Sequence, residues 1–136
     1  MHTDEYTREA FTCGDCWALA LELKARFPHL TVCTLIDPYW DEDNDPEAYD
    51  FMQWTHAVVL DKDTGTYYDV LGAHRPEDNF PDWEMFDWTE IYDIPDEALD
   101  EYFKEEKEYG RLYEDVPLSE GVRLATLDTA PLTAVA

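Results

Sequence analysis

From Cys16 to Leu21 the chain reads Cys-Trp-Ala-Leu-Ala-Leu, and Leu23, Ala25 and Phe27 carry the apolar pattern on. A helix this apolar in its first turns is expected to be buried there on more than one side. Pro28 stops it. The run follows Cys13-Gly14-Asp15 directly, so Cys16 stands at the head of the helix, with Thr12 or Asp15 as the capping residue. At such a start, unpaired backbone N–H groups and the helix dipole favour thiolate over thiol.

The segments that follow supply partners for that thiol. Leu30–Ile36 is rich in β-branched residues and reads as a strand. Gln53–Asp61 and Thr66–Leu71 read as two strands joined by Lys62-Asp63-Thr64-Gly65, a hairpin connector. His56 lies on the first of them, forty residues after Cys16, and Asp69 on the second, thirteen residues further on. Pairing about the turn sets His56 opposite roughly position 71, with Asp69 one diagonal step away on the same face.

Elsewhere the pattern is coarser. Residues 1–12 read as a short lead, and 72–93 as one short helix plus loops that pack over the sheet. Pro95-Asp96-Glu97 opens a second helix with Ala98, Leu99, Tyr102, Phe103 and Tyr109 on its apolar face, and Gly110 ends it. Val122–Leu127 reads as a last strand and 129–136 as a frayed tail. Residues 37–50 read as an acidic loop or lid. An EF-hand starting at Asp41 needs glycine sixth and glutamate twelfth, where this chain has Pro46 and Met52.

A chain of 136 residues suggests one domain over 1–136, with its core at about 12–75 and an acidic, aromatic part at 76–128. Three cysteines do not make a complete disulfide framework, so a reducing, cytoplasmic setting is expected. Met1-His2-Thr3-Asp4-Glu5 is polar and acidic, unlike a secretory leader. No apolar run approaches the roughly 20 residues that span a bilayer. The net charge of −24, from 33 acids against 9 bases, argues against direct binding to nucleic acid or an anionic membrane. It fits an acidic solvated surface, a decoy for a nucleic-acid-binding protein, or a basic peptide or protein as substrate or partner. Aromatic crowding at 80–92 is either core or the interface of a homodimer.

Cys16, His56 and Asp69 together satisfy what acyl transfer through a thiol needs: nucleophile, base, and a group that orients the base. The Cys16 backbone N–H would supply part of an oxyanion hole, with Gln53 or Trp54 as a further donor. Tyr39, Trp40 and Trp54 would line the cleft. No cofactor is expected. Cys13 and Cys16 also form a C-x-x-C pair. A redox motif of that kind wants a preceding strand, which Thr3–Thr12 does not resemble. A zinc site wants a second pair, and only Cys33, His29, His56 and His74 remain, without ligand spacing.

Cys13-Gly14-Asp15-Cys16-Trp17 resembles the C-G-[SA]-C-[WY] signature around the papain nucleophile, and His56-Ala57-Val58 is similar to the run around the papain-family histidine. Asp15 departs from Ser/Ala, the histidine comes far earlier than in papain, and no glutamine precedes the cysteine. The order Gly14–Leu21, then His56, then Tyr67–Gly72 resembles more closely a compact papain-like group carried by phages and mobile elements. The resemblance spans about residues 12–75. It implies an α+β fold: a minimal papain-like core with the Cys-bearing N-terminal helix packed on an antiparallel sheet, plus a C-terminal helix. It implies a thiol enzyme acting on an amide, thioester or isopeptide carbonyl, in the cytoplasm of the host cell if phage-encoded. The alternative from another class is a phage-type, anti-defence protein without chemistry, whose carboxylates at 77–108 block a basic host partner.

Overall fold

The expected helix forms, and it begins at the thiol: α2 spans Cys16–Arg26, with Trp17, Ala18, Leu19, Ala20 and Leu23 buried. The computed structural model describes residues 3–36, 54–86, 88 and 90–127, and of Trp54 only the backbone. Tyr39, Trp40, Gln53, the acidic loop at 41–50, Asp87 and the tail at 129–136 lie outside the described residues.

Residues 1–12 are more than a lead. Helix α1 spans Asp4–Thr12, and the Thr3 side chain caps it by accepting the Tyr6 N–H at 3.1 Å. Its contribution to the core is small, from Thr7, Ala10 and Phe11. The acids of its first turn, Asp4 and Glu5, suit the positive end of the helix dipole.

Among the described residues, five strands form one antiparallel sheet in the order β4-β3-β2-β1-β5: β1 Thr31–Ile36, β2 Trp54–Asp61, β3 Thr66–Asp69, β4 Gly72–His74 and β5 Glu90–Asp93. The hairpin pairs as its turn requires, Val59 with Tyr68, Leu60 with Tyr67 and Asp61 with Thr66. Gly65, at φ +73°, makes the reversal and donates its N–H to the Asp61 carbonyl at 2.8 Å.

Two expectations for the C-terminal half are corrected. The helix expected over 95–110 is broken: a 3-10 turn at Asp96–Ala98 leads into α3 (Leu99–Tyr102), and α4 (Lys104–Tyr109) follows the break at Phe103. Phe103 is fully buried. The strand expected at Val122–Leu127 is a helix, α5, over Leu118–Ala125. Gly121 faces α1 there; a Cβ would sit 2.7 Å from the Phe11 ring, so only glycine lets the two helices come this close. Residues 72–93 hold β4, two 3-10 turns (Pro76–Asp78 and Pro81–Trp83) and β5 in place of the expected short helix.

Strand alternation divides the core between the two faces of the sheet. Val32, Ala57, Val59 and Tyr68 pack against α1, α2 and α5. Cys33, Leu35, Val58 and Leu60 face the other way and are covered by Trp83, with Phe80, Phe86 and Trp88 beside it. The aromatic residues of this stretch thus form a second core layer, although Met85 points outward. Cys33 donates to Asp93 Oδ1 at 3.2 Å, and burial, then that carboxylate, push its thiol far up. Such a thiol is structural. Among the described residues no helix is long and apolar enough to cross a membrane.

Candidate active site

The β2–β3 ladder ends at Val59–Tyr68, so among the described residues the upstream half of β2 has no strand partner on that side. The head of α2 fills this gap. The Ala57 N–H donates to Cys16 Sγ at 3.4 Å, which fixes the sulfur beside the backbone of β2. His56 is the preceding residue, so its side chain points to the aromatic face of the sheet while α2 packs on the other. Thiol and imidazole meet around the unpaired edge of β2, not across the helix–sheet interface.

Asp69 closes the cluster from the end of β3. His56 Nε2 lies 2.7 Å from Asp69 Oδ2. The same oxygen accepts the Trp83 indole N–H at 2.8 Å. Oδ1 accepts the Leu71 backbone N–H at 2.8 Å and lies 2.7 Å from His74 Nε2. Burial alone would make this carboxyl easier to protonate, but the two imidazoles outweigh burial and hold it well below the usual carboxylate range. An ionised carboxylate only accepts, so Nε2 of both His56 and His74 carries the proton.

That assignment leaves Nδ1 as the basic atom of His56, and Nδ1 is buried with no hydrogen-bond partner among the described residues. His56 is 0% exposed, Cys16 4% and Asp69 2%. Burial works against charge on His56, but Asp69 and the adjacent Cys16 prevail and raise its pKa to about 9. Phe86 stacks on the imidazole with centroids 4.1 Å apart and planes within 9°, and Trp83 meets it edge-on at 6.4 Å. A polarised, partnered imidazole beside a thiol at a helix start is suited to moving a proton off sulfur.

Cys16, His56 and Asp69 are therefore brought together as the spacing suggested. Trp54 enters β2 two residues before His56. Cys13 is exposed, with Sγ 3.8 Å from Thr12 Oγ1, and all three cysteines are free thiols. Asp15 holds the N-cap position, but its side chain makes no capping bond. It is fully buried and accepts from Arg111 Nε at 3.1 Å, from the Leu112 N–H at 2.8 Å and from the Tyr113 N–H at 2.9 Å. With the carboxylate turned away, the first turn of α2 has no bond from the side chain of its N-cap residue.

Sequence reasoning missed His74, Trp83 and Phe86. His74 had a signal: a further reversal at Gly72 brings it opposite Tyr67, on the face that carries Asp69. Nothing local marked Trp83 or Phe86 among so many aromatics. The chain is thus an α+β protein with a buried Cys–His–Asp cluster. No family model, curated protein or solved structure matches it.

Proposed function

We propose that this protein is a small papain-like thiol enzyme acting on an amide, thioester or isopeptide carbonyl. The supporting observation is His56: Nε2 is committed to an ionised carboxylate, and the unpartnered Nδ1 is left for the thiol beside it. In the reaction, the His56 imidazolium that persists to about pH 9 already holds the transferred proton on Nδ1, and Sγ attacks the carbonyl carbon as the thiolate of that pair. The Cys16 N–H steadies the developing oxyanion. The imidazolium returns the proton to the leaving amine or thiol, and a thioester remains on Cys16. Water or another nucleophile, deprotonated by Nδ1, then releases the acyl group. Asp69 keeps the ring in the Nε2–H tautomer throughout. Because Cys16 and His56 are nearly sealed, substrate entry requires the surrounding layer to move.

The test is iodoacetamide labelling of Cys16 against pH, read at the residue by mass spectrometry. At pH 6 an ordinary thiol of pKa about 8.5 is under about 1% thiolate. Labelling of Cys16 there is expected to fall at least about tenfold in folded His56→Ala, which lacks the base for the thiol proton. An unchanged rate in folded His56→Ala would mean that the imidazole does not act on the thiol and that Cys16 is structural.

A second reading has its own support in the exposed carboxylates of residues 77–108. Glu77, Asp78, Asp82, Glu84 and Glu97 are all exposed. On this reading the acidic face blocks a basic nucleic-acid-binding or defence protein, and Cys16→Ala leaves function intact. Binding to a basic partner should then weaken steeply between low and physiological salt. Salt-resistant binding would count against it.

A further inference from the structure

We infer that His74 is a positioning residue for the thiol chemistry: its Nε2–H holds the Asp69 carboxylate in the orientation that meets His56. This rests on reading Cys16 and His56 as the reacting pair. The two carboxylate oxygens have different partners. Oδ2 faces His56 and the Trp83 indole. Oδ1 is anchored by His74 Nε2 at 2.7 Å and by the Leu71 N–H at 2.8 Å.

The side-chain anchor comes from a paired strand. His74 sits on β4 in register with Tyr67, and Asp69 ends β3 in register with Gly72. The His74 ring lies 4.5 Å from that of Trp83, under the indole that also binds Asp69. His74 and Asp69 are both almost wholly buried, so no solvent competes for Oδ1. Without His74, the Leu71 N–H alone holds that oxygen, and the carboxylate's orientation rests on that bond and on those of Oδ2 to His56 and Trp83. Among the described residues, the ionisable groups about His56 are Cys16 from α2, Asp69 from β3 and, across that carboxylate, His74 from β4; the aromatic cover there adds the rings of Trp83 and Phe86.

The experiment is an NMR titration of the His56 imidazole in the wild type, His74→Leu and His74→Gln, with Cys16 alkylation followed alongside. In the wild type His56 should keep its proton up to about pH 9. Glutamine still offers an N–H to Oδ1 and should keep the midpoint within roughly half a unit of the wild type. Leucine should lower it by about one unit or more, a tenfold loss of proton affinity. An unchanged or raised midpoint in folded His74→Leu would overturn the inference. If that variant does not fold, the wild type still decides: nitrogen-15 shifts must place the His74 proton on Nε2, and a bare Nε2 would overturn it. The two readings fail separately. A lowered His56 midpoint in His74→Leu, with inert Cys16 in the wild type, keeps the positioning and removes the thiol reading.

Discussion

Asp69→Ala is expected to lower folding stability by about 3–5 kcal/mol, the range for breaking a buried charge pair by removing one partner. The carboxylate is 2% exposed and receives four donors: two imidazoles, an indole and a backbone N–H. Alanine leaves all four facing a dry cavity. Asp69→Asn should recover little, because its amide N–H groups would oppose N–H donors. Urea unfolding at neutral pH measures the loss. A loss under about 1 kcal/mol would mean that water replaces the carboxylate and that the cluster is looser than its distances imply.

The pH dependence of the same transition separates the charge from the packing. His56 is raised to about 9 in the folded protein. Its contribution is therefore full below the unfolded value of about 6.5 and is lost as pH rises through the folded value. Asp69 is depressed, so its contribution is present above the unfolded value near 3.9 and is lost as pH falls toward the folded one. The wild type should be most stable between those unfolded values, at about pH 4 to 6.5, and lose stability toward pH 10. Asp69→Ala should lack the alkaline loss that Asp69 imposes.

The parts of this site that sequence could reach are those set by local chemistry. The apolar run from Cys16 made α2 legible, and the Lys62–Gly65 turn fixed the β2–β3 register, which places Asp69 on the face of His56. Helix α1 was missed because Thr7, Ala10 and Phe11 are its only buried residues, too few for a clear stripe. Helix α5 was missed because Gly121 and Val122 argue against helix locally. Their burial, together with that of Leu124 and Ala125, comes from tertiary packing. The route by which Cys16 reaches His56 was not legible. It depends on β3 being only four residues long, which leaves Ala57 N–H for a sulfur acceptor. His74 was hidden behind a strand of three residues, shorter than any periodicity can mark.

Asp15 shows most clearly how distant partners change the meaning of a residue, and Asp15→Ala is expected to cost about as much as the loss of Asp69, roughly 3–5 kcal/mol. Its place before the helix suggests a cap, but its carboxylate binds residues 111–113, nearly a hundred positions later in the chain. The Arg111 guanidinium also donates through Nη2 to the Tyr113 carbonyl at 2.9 Å and the Val116 carbonyl at 2.6 Å, and lies 5.3 Å from the centre of the Phe11 ring. Alanine would strand this largely covered cation and two backbone donors. Gly14, beside Asp15, sits at φ +154°, a backbone conformation that L side chains rarely adopt. Asp15→Asn keeps one acceptor but loses the charge, so an intermediate loss is expected. Because Asp15 is bonded to Cys16 and ties the head of α2 to the 111–113 loop, both variants should also slow Cys16 alkylation while they remain folded. A shift of the urea midpoint worth less than about 1 kcal/mol in Asp15→Ala, with unchanged alkylation, would mean that the loop neither fixes the helix start nor positions the thiol.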